Sequence, residues 1–367
     1  MLVGFIVNPY AGLGGAIGFK GTNEEAIERA LSLGYDLIAP RRAVEFLVNL
    51  RGGNLRFITG AGLMGEYELA EAGLSSIIER VVGERKSRTS REDTLKAARE
   101  MAGYGVDVLV FVGGDGTLKD ICEATKGGIS VLGVPSGVKV YSGAFAYTPR
   151  EAARILESYA SGRGSLVEAE VLDVDEDLLR RDVFDLRVYG VVKTIRAEGL
   201  LQPSKGLSNT LDDDENKLAI ARYLFETMED DAYYILGPGT TVKALRRFVK
   251  GELSLLGVDV VYGGAVLLKD TWEKPILDIL SRNVKAYIVV SPIGRQGFIF
   301  GRGNQQISPR VLRLVGKDNI IVVATWGKIR ELEYLRIYTG DEEVDARLRG
   351  YYKVLVDYGM YEVKKAI

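Results

Sequence analysis

The sequence contains no histidine and only one cysteine, Cys122. Without histidine, Ser-His-Asp and Cys-His catalytic arrangements and histidine-ligated metal sites are excluded. A single cysteine forms neither an internal disulfide nor a multi-cysteine zinc site, so we expect Cys122 to fill a helix face as a small apolar residue. Any proton transfer must therefore be carried out by Asp, Glu, Lys or Tyr.

Long apolar runs and a large net charge are also absent. No run reaches the roughly 18 residues that a membrane span needs, and the start, MLVGFIVNPYAG, lacks the features of a signal peptide. The formal net charge is −2 and the basic side chains are scattered along the sequence. The sequence therefore shows no basic patch or stripe of the kind that binds nucleic acid. We therefore expect a cytoplasmic protein that acts on a small molecule and binds neither nucleic acid nor a membrane. We also expect a homo-oligomer.

What is present is an alternation of strand-like and helix-like blocks. Apolar runs such as VDVLVFV and ISVLGV are separated by helical patterns such as REDTLKAAREMAGYG, and GEYELAEAGLSSIIERVV is read as a further helix. Strands without polar alternation are typical of a parallel sheet that is covered by helices on both faces. The fold class is therefore α/β, with a predicted N-terminal parallel-sheet domain over residues 1–161.

The residue pattern changes near residue 162, where SLVEAEVLDVD and VFDLRVYGVVKTI are predicted to form longer, half-exposed strands. We predict that a second, mixed α/β and β-rich domain occupies residues 162–330. Residues 197–215 are rich in Gly, Pro, Ser and Asp and are read as a mobile loop and a candidate lid. The closing segment, residues 331–367, has β-rich ends around an acidic turn, and the sequence leaves open its return to the N-terminal domain.

Three glycine-rich turns directly follow predicted strands: NPYAGLGG at 8–15, GGDGT at 113–117 and GPGTT at 237–241. Glycine lets the backbone come close to a ligand, and the helix that follows offers free N–H groups to a phosphate. Several such turns indicate a nucleotide, and in the third turn we assign Gly239, Thr240 and Thr241 to phosphate or ribose contact. No Walker A loop occurs, and GLGGAIG at 12–18 is a weak dinucleotide fingerprint, because the helix-cap signal follows only at Thr22 or Asn23.

Asp115 lies in the middle of the GGDGT turn. A carboxylate among phosphate-binding glycines repels the ligand beside it, so its presence favours a function. It would accept the proton of an attacking hydroxyl, or hold Mg²⁺ that bridges phosphates. The alternative is that Asp115 caps the helix that follows.

GGDGT after an apolar strand, with NPYAG near the start, resembles the superfamily of NAD kinases, diacylglycerol and sphingosine-type lipid kinases, and phosphofructokinases. The order NPYAGLGG, GGDGT, GVPSGVKVYSGAFA, GPGTT, SPIGRQGFIFGRGNQQISP and YTGDEEVD resembles in particular the ATP-NAD/AcoX kinase-like branch. The resemblance implies transfer of a phosphoryl group from ATP or polyphosphate to a hydroxyl, with Mg²⁺. It also implies that Asp115 is the catalytic residue.

The resemblance assigns the first two turns to the nucleotide phosphates. The matching residues are Asn8, Gly12, Gly113, Gly114, Gly116 and Thr117. We assign substrate contacts to Ser136, Gly137, Arg295 and Asn304, since arginine suits phosphate and an amide suits a base or ribose edge. A solvated arginine and an amide that only stabilises its turn are the alternatives for the last two. No metal ligand is assigned.

The identity of the acceptor is less well defined than the reaction. PSGVKVYSGAFA at 135–146 is similar to the corresponding turn of the lipid-kinase relatives, and the Asn-Glu pair of NAD kinases has no clear counterpart. The leading hypothesis is a kinase that converts NAD to NADP. The alternatives are a kinase for a lipid head group or small polyol, and a nucleotide-binding regulator without turnover.

Overall fold

The computed structural model describes residues 1–17, 24–52, 54–136, 140–174, 186–197 and 211–367. Within these ranges the chain divides into two compact units. The first unit contains residues 1–14 and the described residues from 24 to 197, and the second contains residues 15–17 and 211–367. The helices in these ranges are too short or too polar to span a lipid bilayer.

The first unit is built on one sheet. Its strands are β1 (Leu2–Val7), β2 (Arg56–Gly60), β3 (Ile78–Val82), β4 (Val108–Gly113), β5 (Ser130–Pro135), β6 (Ser165–Val174) and β7 (Leu186–Arg196). The helices that begin in it are α1 (Leu13–Ala16), α2 (Glu24–Ser32), α3 (Ile38–Val48), α4 (Glu66–Glu71), α5 (Arg91–Gly103), α6 (Asp115–Thr125) and α7 (Pro149–Ala160). The strand order is β3-β2-β1-β4-β5-β7-β6, and neighbouring strands are parallel except for the antiparallel β6–β7 pair.

Both faces of this sheet are buried, as the apolar strands predicted. In β4, Val108, Val110 and Val112 belong to the cluster that includes α3 and α7, whereas Leu109 and Phe111 belong to the cluster that includes α5 and α6. Successive side chains of a strand point to opposite faces, so a strand covered on both sides must be apolar throughout. The α/β fold class is thus confirmed, and Cys122 is buried on α6 as expected.

The second unit is built on a mixed sheet. Its strands are β8 (Tyr233–Leu236), β9 (Val258–Tyr262), β10 (Ala265–Thr271), β11 (Ala286–Val290), β12 (Phe298–Phe300), β13 (Ile320–Val323), β14 (Arg336–Ile337), β15 (Gly350–Asp357) and β16 (Met360–Ala366). Its helices are α8 (Leu211–Glu226), α9 (Thr240–Lys243), α10 (Glu273–Leu280), α11 (Pro309–Val315), α12 (Trp326–Arg330) and α13 (Glu342–Leu348). The strand order is β10-β9-β8-β11-β13-β15-β16, and β12 pairs separately with β14. Strands β8, β11, β13 and β15 run parallel. The pairs β8–β9 and β9–β10 at one edge and β15–β16 at the other are antiparallel, which confirms a mixed, β-rich second unit.

The division between the units differs from the predicted boundary near residue 162. Strands β6 and β7 complete the sheet of the first unit, because β7 pairs in parallel with β5, with Ser130 opposite Lys193. The residue pattern of β6 and β7, which is typical of half-exposed strands, reflects their position at the edge of that sheet and does not mark a new domain. The closing segment, 331–367, contributes β15 and β16 to the second sheet. Its packing on the N-terminal domain, which the sequence left open, stays a prediction.

GEYELAEAGLSSIIERVV is not a single helix, because α4 ends at Glu71 and the last residues form the edge strand β3. An exposed edge strand carries charged residues, so its pattern resembles that of an amphipathic helix.

The acidic turn of the closing segment is helix α13, where the Asp341 carboxylate caps the N-terminus by accepting from Val344 N at 3.1 Å. Most of 197–215 lies outside the described residues, and its end opens α8.

Candidate functional site

Two of the predicted turns meet at the carboxyl edge of the first sheet. Strands β1, β4 and β5 are neighbours and parallel, so the segments that follow them lie side by side. Asn8 N donates to Val112 O at 3.0 Å, and Ser136 N donates to Gly113 O at 3.3 Å. The sheet therefore brings together the ends of NPYAGLGG, GGDGT and GVPS, at the edge where open α/β sheets place ligands.

Asn8 and Thr117 join the first two turns. The Asn8 amide Nδ2 donates to Thr117 Oγ1 at 3.0 Å, and Asn8 Oδ1 accepts from Tyr10 N at 3.3 Å. Thr117 is buried, so its hydroxyl serves the packing of the two turns. These contacts show that both side chains hold the two turns together. Their contact with a phosphate stays a prediction.

Gly12 and Gly113 are required by close approach. Gly12 has a φ of 88°, and a Cβ there would lie 2.4 Å from Ser136 O. A Cβ at Gly113 would lie 2.6 Å from Thr117 Oγ1. Gly116, in contrast, is exposed and has open space where its Cβ would be, so the backbone at this glycine leaves room for a ligand. Glycine at the first two positions therefore lets the three strand ends pack closely.

Ser136 follows β5 and is buried. Its Oγ has no hydrogen-bond partner among the residues that the structure describes. A buried hydroxyl without a partner is uncommon in a native protein, and such groups are found at binding sites. Gly137, which we assigned with Ser136 to the substrate, lies outside the described residues.

Asp115 is the first residue of α6, and Gly114 occupies the cap position before it. The Asp115 carboxylate accepts from Tyr141 N at 2.7 Å and from Ser142 N at 3.0 Å. Both donors belong to the loop after β5, and the cap of α6 has no side-chain hydrogen bond. The alternative that Asp115 only caps its helix is therefore not supported, because the carboxylate is bound from outside the helix.

The environment of Asp115 moves its pKa towards neutrality. Burial raises the pKa of this carboxyl to about 6, and the charge of Asp173 adds to the effect. The Ser142 hydroxyl and the N–H groups of Ser142 and Tyr141 act in the opposite direction. A carboxylate with a pKa near neutrality can accept a proton at ordinary pH and later release it, as a general base requires.

No cluster of three Asp, Glu or Cys side chains suited to a metal is found in the described ranges. Magnesium usually keeps several waters and binds through substrate phosphates with one or two carboxylates. Binding of magnesium with a nucleotide therefore stays a prediction.

A second group of polar residues lies at the carboxyl edge of the second sheet. Strands β8, β11 and β13 are parallel neighbours. The GPGTT turn follows β8, where Gly239 has a φ of 112°, Thr240 is exposed and Thr241 is buried. Lys328, on α12 after β13, donates through Nζ to Thr241 Oγ1 at 3.2 Å and to Ser291 Oγ at 3.0 Å.

Lys328 was missed by the sequence reasoning. The available signal was a lysine shortly after the apolar strand NIIVVAT, which is the position that the glycine turns occupy after their strands. That signal lacked a glycine motif, so it did not stand out among the many lysines.

A buried ion pair lies behind the GPGTT turn and was also missed. The Lys243 ammonium binds the Asp259 carboxylate, and their side chains are 2% and 0% exposed. Asp259 also accepts from Ser254 Oγ at 2.8 Å, from Ser254 N at 3.0 Å and from Asp270 N at 2.7 Å. Lys243 ends α9, so this network holds the helix of the GPGTT turn to β9 and β10.

The remaining predicted residues lie in the segment around β12. Asn304 is buried; its Nδ2 donates to Ile299 O at 2.8 Å, and its Oδ1 has no partner among the described residues. The nearby Arg302 is buried and places its guanidinium 4.6 Å from the Phe298 ring centre. The Arg295 side chain lies outside the described part of the chain. The amide oxygen of Asn304 is thus available to a ligand, whose identity stays a prediction.

Comparison with protein families gives two matches. The model of the ATP-NAD kinase N-terminal domain matches residues 3–163, and that of the ATP-NAD kinase C-terminal domain matches residues 229–365. Together they cover most of the chain. The N-terminal match ends close to residue 162, whereas the contacts of β6 and β7 extend the first unit beyond it. No curated protein and no solved structure matches the chain.

Proposed function

The chain belongs to the ATP-NAD kinase family, and from this premise we propose that it phosphorylates NAD to NADP. The 2′-hydroxyl of the adenosine ribose is the attacking group, and ATP is the donor. The observation that carries the proposal is the Asp115 carboxylate, which two backbone N–H groups orient at the carboxyl edge of β4. A small-molecule acceptor and assembly as a homo-oligomer stay predictions.

Asp115 is proposed as the general base. The ribose oxygen forms a bond to the γ-phosphorus of ATP, the bond from that phosphorus to the bridging oxygen breaks, and ADP leaves. The hydroxyl proton passes to an Asp115 oxygen. Positioned proton transfer of this kind contributes about 10²- to 10⁴-fold in rate. The two N–H donors hold the carboxylate in place, so little reorganisation is needed before the transfer.

Magnesium would neutralise charge on the phosphates of ATP. In this chain the backbone around Gly116 has the open space that a phosphate group needs. The buried hydroxyl of Ser136 is a further group that a ligand would satisfy. These features support binding of a phosphorylated ligand at the ends of β4 and β5.

The experiment that tests the proposal is incubation of the protein with Mg²⁺, NAD and either ATP or polyphosphate, followed by detection of NADP. We expect NADP with ATP, and the polyphosphate arm identifies whether the donor range is wider. Absence of NADP with both donors removes NAD as the acceptor. Parallel arms with glycerol, inositol and a lipid alcohol test the alternative acceptors, and binding of ATP without any product would indicate the regulator.

The pH dependence of the reaction follows from Asp115. Because its pKa is raised to about 6, the carboxyl is protonated and unable to accept a proton below that pH. We therefore expect kcat/KM to rise through about pH 6 and to level off above it. The residual activity of Asp115→Asn should lack this rise, which separates the carboxyl from titration of the nucleotide. A profile that is the same in both proteins would contradict the assignment.

A further inference from the structure

The segment at residues 141–146, which orients Asp115, is hydrogen-bonded to strand β5. The register between β5 and β7 covers the first two residues of β5. Beyond them, Gly133 N donates to Ala144 O at 2.8 Å, and Ala146 N donates to Gly133 O at 3.0 Å. The segment therefore pairs with β5 as a short neighbouring strand would, and its backbone is held beside the candidate site.

Phe145 anchors this segment in the core. Its ring occupies the space beside Gly133, where a Cβ would lie 2.4 Å from Phe145 Cδ1. The same ring makes an edge contact with Phe111 of β4, and the ring centres are 5.3 Å apart. Both rings are fully buried, and close-packed aromatic contacts of this kind resist displacement. The segment therefore has a fixed position relative to β4, the strand that leads into Asp115.

Ser142 connects the segment to β6. Leu172 N donates to Ser142 Oγ at 2.9 Å, and Gly143 N donates to Glu170 O at 3.3 Å. The bond from Leu172 is made at an irregularity in the β6–β7 ladder, and such irregularities often lie next to active sites. Because Ser142 is 0% exposed, its contacts with β6 fix the position of its hydroxyl.

The Ser142 hydroxyl has two acceptors within reach for its single hydrogen. One is Leu172 O, at the long distance of 3.5 Å, and the other is the Asp115 carboxylate. A charged acceptor forms the stronger hydrogen bond, so the hydrogen is directed to Asp115. Ser142 thus donates to this carboxylate twice, since its backbone N–H is bonded to Asp115 Oδ1 at 3.0 Å.

The charged and titratable groups around Asp115 differ in their effect on it. Burial raises the pKa of Asp115, the Ser142 hydroxyl and two backbone N–H groups lower it, and the charge of Asp173 on β6 raises it further. Asp173 pairs with Lys119 of α6 at 2.5 Å. Burial raises the pKa of the Tyr141 phenol, which therefore stays uncharged. The Ser142 hydroxyl is the donor that a substitution can remove while both backbone N–H groups stay.

We propose that Ser142 is a positioning residue of the phosphoryl transfer, whose hydroxyl ties the Asp115 carboxylate to β6 and orients it for the acceptor hydroxyl. This role rests on the proposed function, in which Asp115 is the base. The hydrogen bonds from Leu172 N through Ser142 to Asp115 form a chain, and such chains strengthen their members. Strand β6, which the sequence placed in the other domain, thereby supports the candidate site.

The first measurement is the pH dependence of NADP formation by Ser142→Ala, which loses the hydroxyl and keeps the backbone N–H. A hydrogen bond to a charged group corresponds to an effect of about 10- to 100-fold, so kcat at neutral pH should fall by about that factor while KM changes little. The rise of kcat/KM should move to higher pH by about one pH unit or more, because the charged carboxylate has lost a donor. Ser142→Thr keeps a hydroxyl and should retain the wild-type position of this rise.

The second measurement does not depend on turnover. NMR titration of the full-length protein with ¹³C-labelled aspartate carboxyl groups follows Asp115 directly, and its signal is the one that Asp115→Asn removes. We expect a midpoint of about pH 6 in the wild type and a higher midpoint in Ser142→Ala. Ser142→Cys is nearly the same size and offers only a weak donor, so it should raise the midpoint even if the alanine variant does not fold.

The matched control is Ser254→Ala in the second unit. Ser254 is also buried, and it also donates to one carboxylate through its hydroxyl and its backbone N–H, to Asp259 at 2.8 and 3.0 Å. This variant should lose stability as Ser142→Ala does. Neither the Asp115 midpoint nor the pH at which activity rises should move in it.

A Ser142→Ala protein with the wild-type Asp115 midpoint and the wild-type pH profile would overturn the proposal, whatever its stability, and would make Ser142 a purely structural residue. A raised midpoint without NADP from either protein is a different outcome. It would support the tie between Ser142 and Asp115 and remove NAD as the acceptor, so failure of the proposed function is distinguished from failure of this inference.

Discussion

Replacing Asp115 by asparagine is expected to lower kcat by about 10²- to 10⁴-fold. Asparagine has nearly the same shape but does not accept a proton at neutral pH. Affinity for the nucleotides should change much less than kcat, because the glycine turns that are proposed to bind phosphate are untouched. The measurement is steady-state kinetics of NADP formation, with ADP affinity determined separately.

The substitution also changes the hydrogen bonds at this position. Both oxygens of Asp115 accept from backbone N–H groups, of Tyr141 and Ser142, whereas asparagine offers only one oxygen. Thermal unfolding of the variant must therefore be compared with its activity. Glu123→Gln is the control, because Glu123 is an exposed acid on the same helix that pairs with Arg91 at 2.6 Å. A variant at Asp115 that folds and retains full activity would refute its role as the base.

Replacing Lys243 by methionine should destabilise the second unit by about 3–5 kcal/mol, the range found when one partner of a buried ion pair is removed. Methionine fills a similar volume but leaves Asp259 charged and 0% exposed. The hydrogen bonds from Ser254 and Asp270 do not supply the missing positive charge. The measurement is chemical unfolding at neutral pH, monitored by circular dichroism.

The chain provides a matched control for this prediction. Lys285 pairs with Glu229 in the same unit, with side chains that are 50% and 41% exposed. Surface pairs contribute only about 0–1 kcal/mol, so Lys285→Met should have a small effect. Equal losses of unfolding free energy in the two variants would mean that burial of the Lys243–Asp259 pair does not make this pair more important for stability than a surface pair. Adding Asp259→Asn to Lys243→Met should recover part of the loss, because it removes the uncompensated charge.

The parts of the fold that were predicted correctly depend on local patterns. Strand β4 was recognised because both of its faces are covered, which makes every residue from Val108 to Val112 apolar. Helix α5 was recognised by its sequence, and its start carries a capping box formed by Ser90 and Asp93. The edge strand β3 was misread as a helix, because one exposed face and several charged residues remove the pattern that identifies a buried strand.

For the candidate site, the sequence by itself determined which residues follow the parallel strands. It thereby singled out the glycine turns and Asp115, since glycines and a carboxylate at a strand end are local features. Only the tertiary structure decided what these residues touch. The loop that orients Asp115, the lysine that binds Thr241 and the burial of Lys243 against Asp259 join residues that are distant in the chain. The physical reason is that strand order in the two sheets sets these contacts, and local periodicity carries no information about which strands become neighbours.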